Sequence, residues 1–198
     1  MSKKISIGVL GCANIAQRYI IPSICESNSF QLVGVASRSE EKADFFASTF
    51  NTKAFYNYES LLDSNLDAIY IPLPNSMHAE WAIRAMQAGK HVLCEKPLAL
   101  NLTEVTRMFE VAEQQNVMLL EAYPYWFQPQ TRDLLSCLSP QLIGQIRSMQ
   151  ASFGFTLGNA ATNIRMNPSL GGGSLLDAGS YPISIIRLVM QCAPKSVM

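Results

Sequence analysis

The stretch from Lys4 to Ala16, KISIGVLGCANIA, constrains this chain most, because it joins a short apolar run to a turn built from small residues. Residues 5–10 are mainly apolar and β-favouring, which is typical of a parallel strand covered on both faces. Gly11, Ala13 and Ala16 occupy the small-residue positions of a G-x-G-x-x-G/A turn, where backbone N–H groups and a helix N-terminus bind a pyrophosphate. The second position is Ala13, whose methyl group narrows the space through which the backbone approaches a pyrophosphate. The stretch therefore indicates either a dinucleotide site or a strand, turn and helix that need small residues for packing alone.

Alternating strands and helices follow this stretch as far as residue 123. Apolar runs mark the strands, and Ser39 and Gly89 are expected to be a helix N-cap and C-cap. This alternation predicts an α/β fold, a doubly wound parallel sheet of the Rossmann type with right-handed crossovers. The predicted strands are 5–10, 31–37, 53–56, 66–73, 91–95 and 117–123, and the predicted helices are 14–27 (kinked or broken at Pro22), 39–50, 58–62, 76–88 and 102–115.

A different pattern begins after about Pro140. Residues 145–155 are predicted to form one long strand, and residues 171–190 an amphipathic helix opened by glycines. A single strand cannot form a stable sheet, so its partners are expected in another chain or in a segment that this chain lacks. We therefore predict a nucleotide-binding domain over 1–122 and the first part of a second domain over 123–198, in a truncated form of a longer protein.

Composition argues against several classes of function. The 198 residues carry no net charge, so nothing favours nucleic acid or an acidic membrane as a partner. The five cysteines are widely spaced, without a C-x-x-C pair or a histidine cluster, which favours reduced thiols over disulfides or a metal site. The N-terminal residues do not resemble a signal peptide, and no apolar run reaches membrane-spanning length. We expect a soluble, cytoplasmic protein.

Ser37 and Arg38 end the second predicted strand, where a dinucleotide-binding unit places the residue that reads the adenosine ribose. An acidic residue at that point accepts a hydrogen bond from the ribose 2′-hydroxyl of NAD. A hydroxyl and a guanidinium suit the 2′-phosphate of NADP instead. The pair thus favours NADP over NAD, and the alternative is a solvated arginine beside a helix cap.

Two further segments follow strands that are expected to end at the same edge of the sheet. Pro72-Leu73-Pro74-Asn75 stops one strand, which places Asn75 and His78 at the edge where α/β folds bind ligands. His78 lies either at the margin of a cofactor site or is an ordinary capping or packing residue. Glu95-Lys96-Pro97 ends the next strand, where Lys96 is either a solvent-facing charge or a donor to a substrate oxygen beside a nicotinamide.

A glycine-rich segment favours the catalytic interpretation of Lys96. Residues 171–181, GGGSLLDAGSY, place Asp177 and Tyr181 four residues apart, so that a carboxylate and a phenol share one helical face. A free phenol has a pKa of about 10, so Tyr181 needs a neighbouring cation such as Lys96 to exchange a proton near neutral pH. The alternatives are an acid that complements the helix dipole and a core aromatic residue.

Together these motifs resemble the glucose-fructose oxidoreductase, inositol dehydrogenase and MocA family, Gfo/Idh/MocA, over essentially the whole chain. The family's glycine turn is similar to residues 8–16, its E-K-P signature to residues 95–97, and its G-G-G-x-L-x-D-x-G segment to residues 171–179. The resemblance implies a Rossmann domain followed by an α+β domain with an open antiparallel sheet, which commonly forms homo-oligomers.

The resemblance also implies roles for particular residues. Lys96 and Asp177 take the positions of a catalytic lysine and aspartate, and Tyr181 stands where many inositol and sugar dehydrogenases of the family carry histidine. The tyrosine form is similar to the glucose-fructose oxidoreductase and dihydrodiol/xylose dehydrogenase branch, which uses NADP. The expected catalytic residues are therefore Lys96, Asp177 and Tyr181. The expected cofactor contacts are Gly11, Cys12, Ala13, Asn14, Ile15, Ser37, Arg38, Pro72, Leu73, Asn75, His78, Glu95 and Lys96.

One departure from the family pattern lies in residues 121–129. Related members often read E-A-F-x-x-R-F-x-P there, whereas this chain has Trp126 in place of the arginine and so lacks that polar anchor. The implied activity is hydride transfer between a nicotinamide and a secondary alcohol or carbonyl of a sugar or dihydrodiol. A catalytically silent nucleotide-binding or regulatory relative is the alternative. A biliverdin-reductase-like enzyme agrees less well with Lys96, Asp177 and Tyr181 together.

Overall fold

The computed structural model describes residues 3–160 and 163–197, and the chain divides into two compact units. The first unit, Met1–Ala122, contains a six-stranded sheet in the order β3-β2-β1-β4-β5-β6. Each pair of neighbouring strands is parallel, so the predicted doubly wound α/β fold is confirmed. The strands are β1 (Ile5–Leu10), β2 (Phe30–Ala36), β3 (Lys53–Phe55), β4 (Ala68–Ile71), β5 (His91–Glu95) and β6 (Leu119–Ala122).

Helices connect these strands. A π-helical turn, Ala16–Ile20, precedes the first helix, so the irregularity expected at Pro22 lies before it. Pro22 is the second residue of that helix, which follows the π-helical turn directly. With the π-helical turn counted as part of this helix, the limits of the strands and helices in the first unit agree with the predicted ones to within two residues. The helices are α1 (Ile21–Glu26), α2 (Glu40–Thr49), α3 (Tyr58–Leu62), α4 (His78–Gln87), which follows a 3-10 turn (Asn75–Met77), and α5 (Leu102–Gln115).

The sheet is covered on both faces, because alternate residues of a strand enter two separate apolar clusters. Ile69 and Ile71 of β4 pack in the cluster that includes residues of α4 and α5. Tyr70, between them, packs in the opposite cluster with residues of α1 and α2. All three side chains are fully buried. Burial on both faces explains why the strands are nearly continuous apolar runs in the sequence.

The second unit, Tyr123–Met198, contains only helices and helical turns as regular elements in its described residues. Its α-helices are short except near the C-terminal end. They are α6 (Pro124–Phe127), α7 (Pro129–Cys137), α8 (Pro140–Ile143) and α9 (Ser180–Met190), with 3-10 turns at Ile164–Met166 and Pro168–Leu170 and a π-helical turn at Leu175–Gly179.

Two predictions for the second unit need correction. The predicted strand over residues 145–155 is wrong, because this segment forms neither helix nor strand. A strand is stabilised by hydrogen bonds to a neighbouring strand, and the described residues of this unit supply none. The helix predicted over 171–190 begins only at Leu175. Gly171 and Gly173 have positive φ angles of 76° and 118°, so the glycines form the loop that leads into the helix.

Three other properties of the described residues bear on function. No helix within 3–160 or 163–197 combines the length and apolar character needed to span a bilayer. Over the same ranges, His, Cys, Asp and Glu side chains form no group able to hold a metal ion. Free thiols are found at Cys12, Cys25, Cys94, Cys137 and Cys192.

Gly34 of β2 is expected to tolerate no side chain. A Cβ atom there would lie 2.5 Å from Cε2 of Phe55 and 2.9 Å from the carbonyl oxygen of Lys53, both on β3. Gly34→Ala should lower the free energy of unfolding by about 1–3 kcal/mol, measured by urea denaturation with circular dichroism. Gly154→Ala is the control, because no atom lies within 4 Å of the added methyl group. Equal stability of the two variants would contradict this packing.

Candidate active site

The strand order locates a candidate ligand site in the first unit. The chain moves outward from β1 to β2 and β3, and outward from β4 to β5 and β6 in the opposite direction. In parallel α/β sheets, ligands bind outside the carboxyl ends of the strands at such a reversal. The segments that follow β1, β2, β4 and β5 share this edge because the strands are parallel.

The turn after β1 is shaped by close backbone packing at Gly11. Its φ angle of 126° is one that residues with a side chain rarely adopt, and a Cβ atom would lie 2.8 Å from Cδ2 of Leu73. The Gly11 N–H donates to the carbonyl oxygen of Ala36 at 2.9 Å, which fixes the turn against the end of β2. Gln17 N–H donates to the carbonyl oxygen of Ala13 at 3.1 Å, so helical bonding begins directly after the turn. The first N–H groups of a helical segment have no partner within the helix, and such groups suit an anion.

Cys12 and Ser37 meet where β1 and β2 end. Burial raises the pKa of the Cys12 thiol to about 11, against the lowering effects of a hydrogen bond with Ser37 and the charge of Lys42. The thiol is therefore protonated at neutral pH and is not a nucleophile. Its place in the turn suits packing and hydrogen bonding.

Ser37 and Arg38 differ in their surroundings. Ser37 is 7% exposed, and its hydroxyl accepts a hydrogen bond from the N–H of Ser39 at 3.1 Å and is also hydrogen-bonded to the Cys12 thiol. Arg38 is exposed. Ser39 caps α2 by accepting from the N–H of Lys42, as predicted. A fixed hydroxyl and an exposed guanidinium thus stand side by side after β2.

The loop after β4 is largely buried and is tied to the loop after β5. Pro72 and Leu73 are buried, whereas Asn75 is half-buried and opens the 3-10 turn before α4. His78 is fully buried, with Nε2 2.8 Å from the carbonyl oxygen of Leu73 and Nδ1 2.8 Å from that of Pro97. These contacts favour a supporting role for His78 over direct contact with a cofactor.

Buried Tyr70 and half-buried Glu121 also hold the loop after β5. The Tyr70 hydroxyl donates to Oε1 of Glu95 at 2.7 Å, and the N–H of Leu98 donates to Oε1 of Glu121 at 2.8 Å. Burial, followed by the Glu95 charge, raises the pKa of Tyr70, so this phenol stays protonated and acts as a donor. The peptide bond between Lys96 and the following proline is cis, and Lys96 is half-buried.

The charges of Lys96 and Glu95 both act on the carboxyl group of Glu121. Burial raises the pKa of Glu121, and the nearby Glu95 charge adds to this effect. The N–H of Leu98 and the charge of Lys96 act in the opposite direction. The ammonium of Lys96 therefore helps to keep Glu121 ionised.

Sequence reasoning missed Tyr70 and Glu121. Tyr70 and Glu121 each lie within an apolar run that was predicted as a strand. The polar group of the side chain was the only sign in the sequence that either residue makes a specific contact. Their partners come from a different strand or loop, and the sequence does not show which one. A buried polar atom requires a hydrogen-bond partner, so a polar side chain in such a run indicates that a buried partner exists.

In the second unit, Asp177 is held by an arginine that the sequence analysis did not single out. Nε of Arg165 donates to Oδ2 of Asp177 at 2.7 Å. The glycine loop holds the backbone of this arginine, because Gly173 N–H donates to its carbonyl oxygen at 2.8 Å. A Cβ atom on Gly172 would lie 2.6 Å from that oxygen and 2.7 Å from the carbonyl oxygen of Asn167. Only glycine fits between these groups.

Tyr181 lies in an aromatic cluster of the second unit. Its ring centroid is 5.2 Å from that of Tyr123, with the planes at 83°, and 5.1 Å from that of Phe153. Trp126 lines a different feature, a cavity of about 280 Å³ that it shares with Phe127 and four other residues. Asp177 and Tyr181 belong to the second unit and Lys96 to the first, so their joint action stays a prediction.

Comparison with known proteins agrees with this geometry. A model of the Gfo/Idh/MocA oxidoreductase family, with an NAD-binding Rossmann fold, matches residues 5–123. The model of the GFO/IDH/MocA C-terminal domain matches residues 132–198.

Two curated relatives are similar over most of this chain. The dTDP-3,4-didehydro-2,6-dideoxy-alpha-D-glucose 3-reductase of Saccharopolyspora spinosa is 40% identical over 188 residues, which are 94% of this chain and 56% of the relative. The D-xylose 1-dehydrogenase (NADP(+)) 2 of Haloferax volcanii is 39% identical over 185 residues, with coverage of 92% and 56%. This chain spans about 56% of the length of either relative.

A solved structure is also similar. KijD10, a 3-ketoreductase from Actinomadura kijaniata in complex with NADP and TDP-benzene, matches with a TM-score of 0.91 and 38% identity. The match covers 95% of this chain and 58% of KijD10. The glycine turn, the Glu95-Lys96-Pro97 loop and the two family models together show that this chain belongs to the Gfo/Idh/MocA oxidoreductase family.

Proposed function

We propose that this protein is an NADP-dependent oxidoreductase that transfers a hydride between the cofactor and a secondary alcohol or carbonyl of a sugar or dihydrodiol. One observation carries the proposal. Buried Tyr70 and His78 and half-buried Glu121 support the Lys96 loop at the sheet edge that also bears Gly11. Buried polar groups are costly unless they are paired, and a lysine that is merely solvated needs no such framework. Membership of an oxidoreductase family supports the same conclusion.

The residues at the strand reversal fit a dinucleotide. Gly11 makes the tight turn at the end of β1, and the N–H groups of the following helical turn offer donors to a pyrophosphate. Arg38 and the Ser37 hydroxyl offer a cation and a donor to a 2′-phosphate. The NADP(+) of the Haloferax volcanii D-xylose 1-dehydrogenase and the NADP bound to KijD10 support this choice of cofactor. When bound, the nicotinamide supplies or accepts the hydride.

Three side chains are proposed to handle the substrate oxygen and its proton. Lys96 donates a hydrogen bond to the oxygen and stabilises the negative charge that develops on it. Tyr181 exchanges the proton with that oxygen, and a neighbouring ammonium favours its ionised form. Asp177, oriented by Arg165, positions a substrate hydroxyl. This division of labour requires Lys96 of the first unit to meet Asp177 and Tyr181 of the second.

The relatives support a sugar as the substrate class. The Saccharopolyspora spinosa relative is a reductase of a dTDP-linked keto sugar, and the Haloferax volcanii relative is a xylose dehydrogenase. KijD10 is a 3-ketoreductase, and variants of it with a replaced lysine or tyrosine were also solved with NADP and TDP-benzene. These are the residue types of Lys96 and Tyr181.

We also propose a homo-oligomer and a cytoplasmic location. The second unit exposes large apolar side chains, including Phe127 at 55%, Leu142 at 70% and Leu175 at 65%, which favours association through this unit. The five free thiols support a reducing compartment. Light scattering after gel filtration measures the mass of the assembly, and the mass of one chain would contradict association.

Replacement of Arg38 tests the choice of cofactor. Arg38→Ala should weaken NADPH binding roughly 10- to 100-fold and leave NADH binding within about threefold, because only the 2′-phosphate loses a charged partner. Fluorescence titration measures both affinities. Arg107→Ala, which removes an exposed arginine on α5, should change neither. A parallel loss of NADH binding would show that Arg38 does not read the phosphate.

Replacement of Lys96 and Tyr181 tests the chemistry. Lys96→Met and Tyr181→Phe should each lower kcat roughly 10²- to 10⁴-fold without abolishing NADPH binding, since each removes a polar group from proton transfer. NADPH absorbance with a panel of aldoses, keto sugars and diols measures turnover. Lys4→Met is the control, because Lys4 is an exposed lysine before β1. NADPH binding by the unmodified chain without turnover on any member of the panel would instead indicate the silent nucleotide-binding alternative.

Replacement of Gly172 tests the loop that orients Asp177. Gly172→Ala should displace the backbone at Arg165 and Asn167 and lower kcat roughly tenfold or more, as expected when a catalytic group is misplaced. NADPH affinity should stay unchanged, because the proposed dinucleotide contacts lie in the first unit. Gly158→Ala is the matched control, with no atom within 4 Å of the added methyl group. Equal turnover of the two variants would remove the role given to the Arg165–Asp177 pair.

A further inference from the structure

His78 links two loops of the candidate site from inside the first unit. Its side chain is fully buried, and its two ring nitrogens each lie 2.8 Å from a backbone carbonyl oxygen. One carbonyl belongs to Leu73, after β4, and the other to Pro97, after β5. Because β4 and β5 are neighbours in the sheet, a single imidazole ring spans adjacent loops. The ring therefore lies between the two loops, in contact with both.

The contact with Pro97 lies next to the proposed catalytic amine. Pro97 follows Lys96 directly, so the position of its carbonyl group determines the path of the backbone from which the Lys96 side chain extends. Tyr70 and Glu121 hold the Glu95 side chain and the N–H of residue 98 on either side of this point. His78 differs from them because it holds the middle of the loop and connects it to the loop after β4.

The protons available to His78 limit what it can hold. Both partners are carbonyl oxygens, which accept hydrogen bonds and donate none. A neutral imidazole has one N–H and donates to one of them, whereas an imidazolium donates to both. Burial lowers the pKa of His78 and the Lys96 charge adds to this, while the two carbonyl groups and the Glu95 charge act in the opposite direction. The neutral ring is thus favoured, and the nitrogen that carries its proton determines which loop is held.

We propose that His78 is a positioning residue for Lys96, and that its Nδ1–H donates to the Pro97 carbonyl and fixes the loop that carries the amine. The inference rests on the proposed function, because it assigns Lys96 to the reaction. The sequence analysis expected His78 to contact the cofactor. In this proposal His78 instead acts on Lys96 through the backbone.

Two amide variants separate the two hydrogen bonds. The side-chain nitrogen of asparagine takes the place of Nδ1, and that of glutamine takes the place of Nε2. His78→Asn therefore keeps a donor toward Pro97, whereas His78→Gln keeps a donor toward Leu73. His91 offers a matched control, because it begins β5 at the opposite end of the strand and its Nδ1 accepts from the N–H of Met118.

The test follows Lys96 directly, by NMR of the full chain carrying lysine labelled with ¹³C at Cε. Lys96→Arg assigns the signal. His78→Gln should shift the Lys96 signal, whereas His78→Asn and His91→Gln should leave it near its position in the unmodified chain. In assays of turnover, His78→Gln should lower kcat about 10- to 100-fold with KM within about threefold, as expected for a displaced catalytic group. Equal Lys96 signals in the two His78 variants would overturn the proposal.

The unmodified chain provides a second measurement in case a His78 variant fails to fold. Nitrogen chemical shifts of ¹⁵N-labelled histidine distinguish the two neutral tautomers, and the proposal requires a proton on Nδ1 of His78. A neutral ring protonated on Nε2 alone would overturn it. Absence of turnover by the unmodified chain would count against the proposed function only, because both NMR measurements report on His78 and Lys96 without catalysis.

Discussion

The parallel direction of all six strands is the constraint on which the candidate site depends. Because the strands run the same way, each segment that follows a strand emerges at one edge, and the reversal between β1 and β4 separates two of these segments to leave a crevice. Residues far apart in the sequence, such as Gly11, Arg38 and Lys96, reach that edge without any local signal that they belong together. Burial of both faces of the sheet holds the strands in register and so fixes the edge.

The Lys96 loop shows how a charged group is placed at such an edge. Three polar side chains hold it from behind, and each is itself buried or half-buried: Tyr70 on β4, His78 at the start of α4 and Glu121 on β6. Each makes a hydrogen bond that a solvent-facing lysine loop does not need, and an unpaired polar group at these depths would be costly. The carboxylates of Glu95 and Glu121 add a negative environment that suits an ammonium. Glu121 thus both holds the loop by a hydrogen bond and places a negative charge near Lys96.

The second unit holds the carboxylate of Asp177 in place with a glycine loop and an arginine. Its glycine loop lets two backbone carbonyl groups come so close to Gly172 that no side chain fits, and this approach sets the position of Arg165. The guanidinium then holds the Asp177 carboxylate, while aromatic rings at Tyr123 and Phe153 enclose Tyr181. Packing between aromatic rings fixes the orientation of the Tyr181 ring. Hydrogen bonds from polar side chains thus support Lys96 in the first unit, whereas backbone packing at Gly172 and aromatic packing support Asp177 and Tyr181 in the second.

The sequence by itself determined the elements of the first unit, because burial on both faces leaves apolar runs, and helix caps leave Ser, Asn and Gly at the ends of helices. It also located the small-residue turn at Gly11 and the loop at Lys96, since both directly follow predicted strands. The tertiary structure alone decided the partners of Tyr70, His78 and Glu121, because a hydrogen bond between neighbouring strands joins residues whose separation in sequence carries no pattern. For the same reason residues 145–155 were wrongly predicted as a strand: β-favouring residues express a preference, but a strand forms only where a neighbouring backbone accepts its hydrogen bonds.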